Sequence, residues 1–161
     1  MLTLALGFQV VRLKQRNAVL EANVQLSTRA FMRGTALPLL PVQAAGGRET
    51  VLPSLCRARR RLVTVFTQRA CKACERVAPL WEEVARSRKD VDVVTVYVDA
   101  GPDKSAPASS LPVFMTTAAN LGTFVRVGSA PSVMITDSAC RVDAAAVGAE
   151  GVRSALGQLT R

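Results

Sequence analysis

The sequence predicts an α/β fold, and three features between residues 62 and 98 indicate it. Residues 62–67 form a short, apolar, β-branched segment, which is typical of a buried strand. The segment Val91–Val98 is nearly all apolar, as expected for a strand covered on both faces. Between them, residues 71–88 carry apolar side chains at helical spacing, namely Val77, Leu80, Trp81, Val84 and Ala85. A right-handed crossover through such a helix makes the two strands parallel.

Composition excludes several functions. The chain has 161 residues, of which 49% are hydrophobic, enough for one domain with a core plus an extension. Its net charge is +9, and the basic residues are scattered except for a run at 57–61. Nucleic-acid interfaces usually combine basic charge with aromatic side chains on which bases stack. Aromatic residues make up only 4% of this chain, so we expect no nucleic-acid partner. The basic run is interpreted as a solvated rim, or as a surface attracted to anionic lipid headgroups.

The metal chemistry open to the chain is restricted by its residue types. It has four cysteines and no histidine, which excludes histidine-containing zinc or copper sites and Cys-His or Ser-His catalysis. A four-cysteine zinc site would require Cys56 and Cys140 to converge on Cys71 and Cys74. We therefore expect no metal and no separate cofactor.

The N-terminal residues 1–33 are predicted to be an extension of a domain formed by residues 34–161. Residues 1–11 are apolar but shorter than the roughly 20 residues that cross a bilayer. They fit the remnant of a membrane anchor, which we favour, an interfacial segment, or the start of a helix. The basic residues that follow, Arg12, Lys14 and Arg16, would favour a cytoplasmic position for that side.

A helix is predicted to continue through residues 10–31. Positions at a period of 3.5 residues define its seam, as in a short coiled coil: Val10, Leu13, Asn17, Leu20, Val24, Ser27 and Phe31. The pattern is compatible with a homodimer through residues 10–31 or with a stalk helix lying on its own domain.

The remaining elements follow in order. A β-hairpin is predicted from residues 38–42 and 49–52, which flank the glycine turn Gly46-Gly47. Residues 100–111 read as a mobile loop, 112–115 as a short strand and 117–124 as a short helix. Two antiparallel strands are predicted next, the first beginning at Pro131 and the second at 141–147. A closing helix follows, with one apolar face formed by Val152, Ala155, Leu156 and Leu159.

The candidate site is Cys71-Lys72-Ala73-Cys74, at the junction of the first core strand and its helix. Free backbone N–H groups and the helix dipole stabilise an anion there, so a thiolate at Cys71 is favoured, with Lys72 and Arg69 adding positive charge. Cys74 lies one turn later and can close a disulfide with Cys71 or resolve a mixed disulfide. A structural or metal-binding role, or a decayed site, are the alternatives.

This stretch resembles the active-site helix of thioredoxin: C-x-x-C, then Pro79 five positions after the second cysteine, then an apolar stripe. The hairpin before the core resembles the TlpA-like branch of membrane-tethered reductases, which includes the thioredoxin-like accessory protein of methylamine dehydrogenase maturation. The resemblance covers residues 36–159. It implies a thioredoxin-like fold, a central mixed sheet flanked by helices, here with an N-terminal hairpin and helical extension.

The resemblance also implies roles for individual residues. Cys71 would be the nucleophile and Cys74 the resolving cysteine. Pro131 would form a cis peptide with Ala130 facing the cysteines, and together with Lys72 and Ala73 these residues would contact the substrate. Thioredoxin has a buried acid on the strand before the motif, where this chain has Val65.

Thiol-disulfide exchange on protein cysteines is the function implied, with the redox-active disulfide as the only redox group. The protein would be membrane-tethered, with its domain in the bacterial periplasm or cell exterior, and would act in maturation of a partner. A cytoplasmic domain is the alternative location. Because Val65 and the 100–111 loop depart from the family pattern, a redox-weak adaptor that binds a partner through the same surface is the second interpretation.

Three further residues are open to two interpretations. Cys56 and Cys140 fall at the end of the predicted sheet opposite the site, and two unrelated thiols are favoured over a structural disulfide. Trp81 lies on the apolar stripe of the helix, which favours core packing over substrate contact.

Overall fold

The structure is a computed structural model that describes residues 33–98, 109–121 and 130–160. The predicted anchor remnant and coiled coil, within residues 1–32, lie outside the described residues. So do most of the 100–111 loop and residues 122–129, which include the end of the short helix expected at 117–124.

Strands and helices alternate through the core of the chain as the sequence predicts. The elements of the described residues are β1 Pro41–Ala44, β2 Glu49–Val51, a 3-10 helix Leu52–Leu55, β3 Arg61–Thr67, α1 Lys72–Ser87, β4 Val91–Val98, β5 Val113–Thr116, α2 Ala118–Leu121, β6 Ser132–Thr136, β7 Val142–Val147 and α3 Gly148–Gly157. These seven strands join one mixed sheet in the order β2-β1-β5-β4-β3-β6-β7.

The sheet has an apolar layer on each face, which explains why β3 is apolar at every position but its ends and Thr64. Val63 and Val65 point to the layer formed with α1 and α3, where they pack with Val77 and Trp81. Alternate β3 residues, such as Phe66, belong to the other layer, formed with the hairpin and α2. A strand with both faces covered loses the alternation of polar and apolar residues.

The register of the sheet fixes which residues share an end of the molecule. β3 and β4 are parallel, with Arg61 opposite Val91 and Thr67 opposite Tyr97. β6 runs antiparallel to β3 and begins with Ser132 opposite Phe66. The C-terminal end of β3, the start of α1 and the start of β6 therefore meet at one end, which brings the C-x-x-C motif and Pro131 to the same side of the molecule.

At the opposite end, Cys56 and Cys140 form a disulfide with their Cα atoms 6.0 Å apart. The favoured interpretation of two unrelated thiols is therefore wrong. Cys56 follows the 3-10 helix, and Cys140 lies in the β6–β7 turn with a positive φ of 61°. The bridge links the hairpin region to the far edge of the sheet across 84 positions of sequence.

Candidate active site

The two cysteines of the C-x-x-C motif lie at the N-terminus of α1. Cys71 is the N-cap residue, in extended conformation, and Cys74 is in the first turn. The Cys74 backbone N–H donates to the Cys71 sulfur at 3.1 Å, so a sulfur takes the capping position that a serine or aspartate oxygen usually fills. Cys71 and Cys74 form a disulfide with their Cα atoms 5.2 Å apart.

The chain reaches Cys71 through a tight turn after β3. Ala70, directly before the cysteine, has a φ of 53°, in the left-handed region that costs an alanine roughly 1 kcal/mol. This turn directs the chain from the strand end into the helix, and it places Cys71 at the surface. Cys71 is half-buried, whereas the Cys74 side chain is only 4% exposed.

The start of β6 faces the cysteines. The Ala130–Pro131 peptide bond is cis, as the resemblance implies. The Ala130 carbonyl oxygen lies 3.8 Å from the Cys71 sulfur, although 59 positions separate the two residues. Ala130 is half-buried and Pro131 is buried, and the Pro131 carbonyl accepts a hydrogen bond from Gly148 at the start of α3.

The four residues predicted to contact substrate lie on two elements. Ala130 and Pro131 are at the start of β6, whereas Lys72, which is exposed, and Ala73, which is half-buried, are in the first turn of α1.

The environment below Cys74 is apolar. Cys74 packs in the same cluster as Val65 and Trp81, and Val65 is fully buried. Within residues 33–98, 109–121 and 130–160, the fully buried polar side chains are all threonine or serine. In the described part of the chain, no buried carboxylate is therefore available to accept a proton from Cys74.

A cavity of about 330 Å³ opens beside the disulfide, on the side of the adjacent parallel strand β4. Its walls include Thr67, Ala78, Trp81 and Tyr97, and Glu75 lies at the α1 side. Burial raises the pKa of the Tyr97 phenol, and the positive charge of Arg69 acts in the opposite direction. Trp81 is packed in the core, as the sequence favours, and it also lines the cavity.

Sequence reasoning missed Thr67 and Tyr97. The signal that could have found them is the parallel pairing of β3 with β4, because the C-terminal ends of parallel strands meet at one edge of the sheet. Among the described residues, no group of three histidine, cysteine or acidic side chains is placed to hold a metal ion.

Neither a protein-family model nor a curated protein matches the chain. Solved structures do. The thioredoxin domain of a thiol-disulfide oxidoreductase from Bacteroides vulgatus superposes with a TM-score of 0.64 at 13% identity, covering 81% of this chain and 99% of that one. DsbF of MTB, in mixed oxidized and reduced forms, gives 0.57 at 20% identity, with coverage of 76% and 93%.

A third structure, the exposed lipoprotein thioredoxin of Streptococcus pneumoniae, gives a TM-score of 0.53 at 18% identity, covering 73% of this chain and 97% of that one. These likenesses, together with the seven-stranded mixed sheet flanked by helices, define the class: the chain has a thioredoxin-like fold.

Proposed function

We propose that this protein carries out thiol-disulfide exchange on protein cysteines through Cys71 and Cys74. The observation that carries the proposal is the position of the Cys71 sulfur. It caps α1 by accepting from the Cys74 N–H, and it lies 3.8 Å from the start of β6. In the reduced protein, the same N–H, the helix dipole and the exposed Lys72 favour a thiolate at this sulfur.

The exchange proceeds in two balanced steps. The Cys71 thiolate attacks one sulfur of a client disulfide, forming a mixed disulfide and releasing the other client sulfur as a thiolate. The Cys74 thiolate then attacks the Cys71 sulfur, which forms the Cys71–Cys74 disulfide and releases the second client thiolate. Two electrons pass from the protein to the client. The reverse sequence oxidises a client dithiol, and the difference in reduction potential sets the direction.

The client chain would dock along the edge formed by Ala130 and Pro131. The Ala130 carbonyl is beside the attacking sulfur, so an extended client segment that pairs with this backbone brings its own sulfur to Cys71. Lys72 and Ala73, in the first turn of α1, would contact the client from the other side. The redox group in this scheme is the cysteine pair itself, with no other cofactor.

The proposal places the domain outside the cytoplasm, in the bacterial periplasm or at the cell exterior, tethered through its N-terminal residues. Two observations support this location. First, the chain contains a second disulfide, Cys56–Cys140, and disulfides persist mainly in oxidising compartments. Second, one structural neighbour is an exposed lipoprotein. In the part of the chain that the structure describes, no helix has the length and apolar character to cross a membrane. Maturation of a partner protein and dimerisation through residues 10–31 remain predictions.

One observation favours the redox-weak adaptor as a second candidate. Cys74 is enclosed by apolar side chains, including Val65, so its ionisation in the second step gains nothing from a buried acceptor in the described residues. An adaptor would bind the client along the same Ala130–Pro131 edge and would not need this ionisation.

Two matched serine variants separate the candidates. Cys74→Ser keeps the attacking sulfur but cannot resolve, so it should accumulate a mixed disulfide with an unfolded, disulfide-containing test protein such as scrambled ribonuclease. Cys71→Ser should form none, and both variants should lose turnover. Equal trapping by the two variants would remove Cys71 from the nucleophilic role. Full binding of the test protein by Cys71→Ser with no turnover by the wild type would support the adaptor.

A further inference from the structure

The end of the sheet opposite Cys71 is strongly basic. We call it the basic pole and define it by the cations of the N-terminal entry, the turn before β3, the α1–β4 turn and the β6–β7 turn: Arg33, Arg57, Arg59, Arg60, Arg61, Arg88, Lys89 and Arg141. The register requires this clustering. Arg61 begins β3 and its N–H donates to the Asp90 carbonyl, while its guanidinium donates to the Thr136 carbonyl at the end of β6.

Two carboxylates organise four of these arginines. Asp92 pairs with Arg60 at 2.8 Å and with Arg57 at 3.9 Å. Asp143 pairs with Arg33 at 3.0 Å and also with Arg61. Each carboxylate thus holds two guanidinium groups close together, and each group of three charges keeps one net positive charge.

The positive charge of the described residues is concentrated at this pole. There the eight cations face four carboxylates, those of Asp90, Asp92, Asp137 and Asp143. The remaining described surface is nearly balanced, with six cations and five carboxylates. Several of the pole's cations are solvent-exposed: the side chains of Arg33 and Arg57 are 83% and 73% exposed, and Arg59, Lys89 and Arg141 are also exposed.

The chain enters the domain at the same pole. The Gly34 N–H donates to the Val142 carbonyl at 2.6 Å, and Arg141 donates to the Gly34 carbonyl at 2.9 Å. The sequence just upstream contains the apolar residues 1–11 and the cations Arg12, Lys14 and Arg16. An apolar segment followed by cations is the composition that binds an anionic bilayer surface.

We propose that the basic pole docks on an anionic lipid surface and so orients the domain with Cys71 facing away from the membrane. The seven residues of β3 separate the pole from the site by about 20 Å, which is well beyond the Debye length of about 8 Å at physiological salt. The active-site end is therefore left to the client. Lipid fits the pole better than nucleic acid does, because the described aromatic side chains lie in the core or at the cavity and offer no stacking surface at the pole.

The test compares two triple variants of the full chain that change net charge equally. The pole variant is Arg57→Gln, Arg59→Gln and Lys89→Gln, which spares the half-buried Arg60 and Arg61. The control variant is Arg69→Gln, Arg76→Gln and Arg153→Gln, exposed positions before α1, in its first turns and on α3, away from the pole. Binding is measured by co-sedimentation with phosphatidylcholine vesicles, with and without 30% phosphatidylglycerol as a chosen probe composition.

The wild type should bind the anionic vesicles more tightly than the neutral ones, and the preference should weaken as salt increases. The pole variant should lose about 100-fold in affinity for anionic vesicles, since each cation near the surface contributes about fivefold. The control should change by less than about fivefold. On bound vesicles, reduced Cys71 should react with a soluble maleimide as fast as it does in solution.

Three results would overturn the proposal: equal losses in the two triple variants, equal binding of the wild type to neutral and anionic vesicles, or protection of Cys71 by vesicles. Tighter binding of the wild type to duplex DNA than to anionic vesicles at the same salt, lost in the pole variant, would assign the pole to nucleic acid instead. None of these readouts depends on disulfide exchange, so failure here would leave the proposed redox function untouched.

Discussion

The Cys56–Cys140 disulfide should contribute a large part of the stability of the domain. It closes a loop of 84 positions of sequence, and the chain-entropy relation gives a loss of about 15 cal/mol/K from the unfolded state. At 25 °C this corresponds to about 4.5 kcal/mol. A domain of this size is stable by only about 5–15 kcal/mol in total, so removal of the bridge should be obvious in any unfolding experiment.

The perturbation is the double variant Cys56→Ala/Cys140→Ala, and the assay is urea unfolding followed by far-UV circular dichroism. The matched comparison is Cys71→Ala/Cys74→Ala, whose bridge closes a loop of only three positions. The same relation gives about 1.6 kcal/mol for that short loop. We therefore expect the first double variant to lose roughly 3 kcal/mol more than the second.

The comparison also tests where the bridge acts. Both half-cystines at 56 and 140 are half-buried and pack against the layer formed with the hairpin. Alanine at these positions leaves the Cys71 end unaltered, so the folded fraction should retain full disulfide exchange. A loss below 1 kcal/mol in the first variant, or a larger loss in the second, would refute this reasoning.

Three further predictions concern single groups. A hydrogen bond from Arg88 lowers the pKa of Asp90 to about 2, so the contribution of this carboxylate to stability is present above pH 4 and is lost as the pH falls from there toward 2. Carboxyl NMR titration should show this midpoint, and Arg88→Gln should raise the pKa toward 3.8, although the backbone hydrogen bond of Asp90 still lowers it. Burial raises the pKa of the Tyr97 phenol, and Tyr97 is the only tyrosine of the chain, so ultraviolet titration of the folded protein should have a midpoint above 10. The free energy of unfolding should fall as the pH rises through that range, because the unfolded chain ionises its tyrosine first. A midpoint at or below 10 would contradict the burial. Val65→Asp should lower the free energy of unfolding by about 3 kcal/mol, because it buries a carboxyl group without a partner. The same variant should speed the attack of Cys74 on the mixed disulfide, because the carboxylate can accept the Cys74 proton. Val65→Asn, with the same size and no charge, should lower stability without speeding that step.

Much of the core could be predicted because its sequence patterns are local. Val91–Val98 is a strand over the predicted residues, and the helix predicted at 71–88 is observed as Lys72–Ser87 with Cys71 as its cap. The first hairpin strand, predicted at 38–42, is observed at Pro41–Ala44, and the second, predicted at 49–52, ends at Val51. Pro38 falls before the first strand and Pro41 is its first residue, as expected because a proline cannot donate to a strand ladder.

The features that sequence reasoning missed depend on contacts between distant segments. Pairing of Cys56 with Cys140 requires the segment after the 3-10 helix Leu52–Leu55 to approach the β6–β7 turn, where Cys140 adopts a left-handed backbone conformation. Neither the 3-10 helix nor this turn leaves a periodic pattern in the sequence. The cavity depends on Thr67 lying opposite Tyr97, which follows only from the register of β3 and β4. Similarly, the sequence showed a run of arginines but not the two carboxylates that hold them, which come from β4 and β7.

The central claim is that Cys71 and Cys74 form one reversible redox pair. It is tested most directly by equilibrating the full chain in glutathione buffers of graded ratio, quenching with acid, and measuring by mass spectrometry the oxidation of the peptide that contains both cysteines. We expect a single two-electron transition between the dithiol and the internal disulfide, with both cysteines changing together. Persistent glutathione adducts on Cys71 without disulfide formation, or a dithiol that no buffer oxidises, would contradict it.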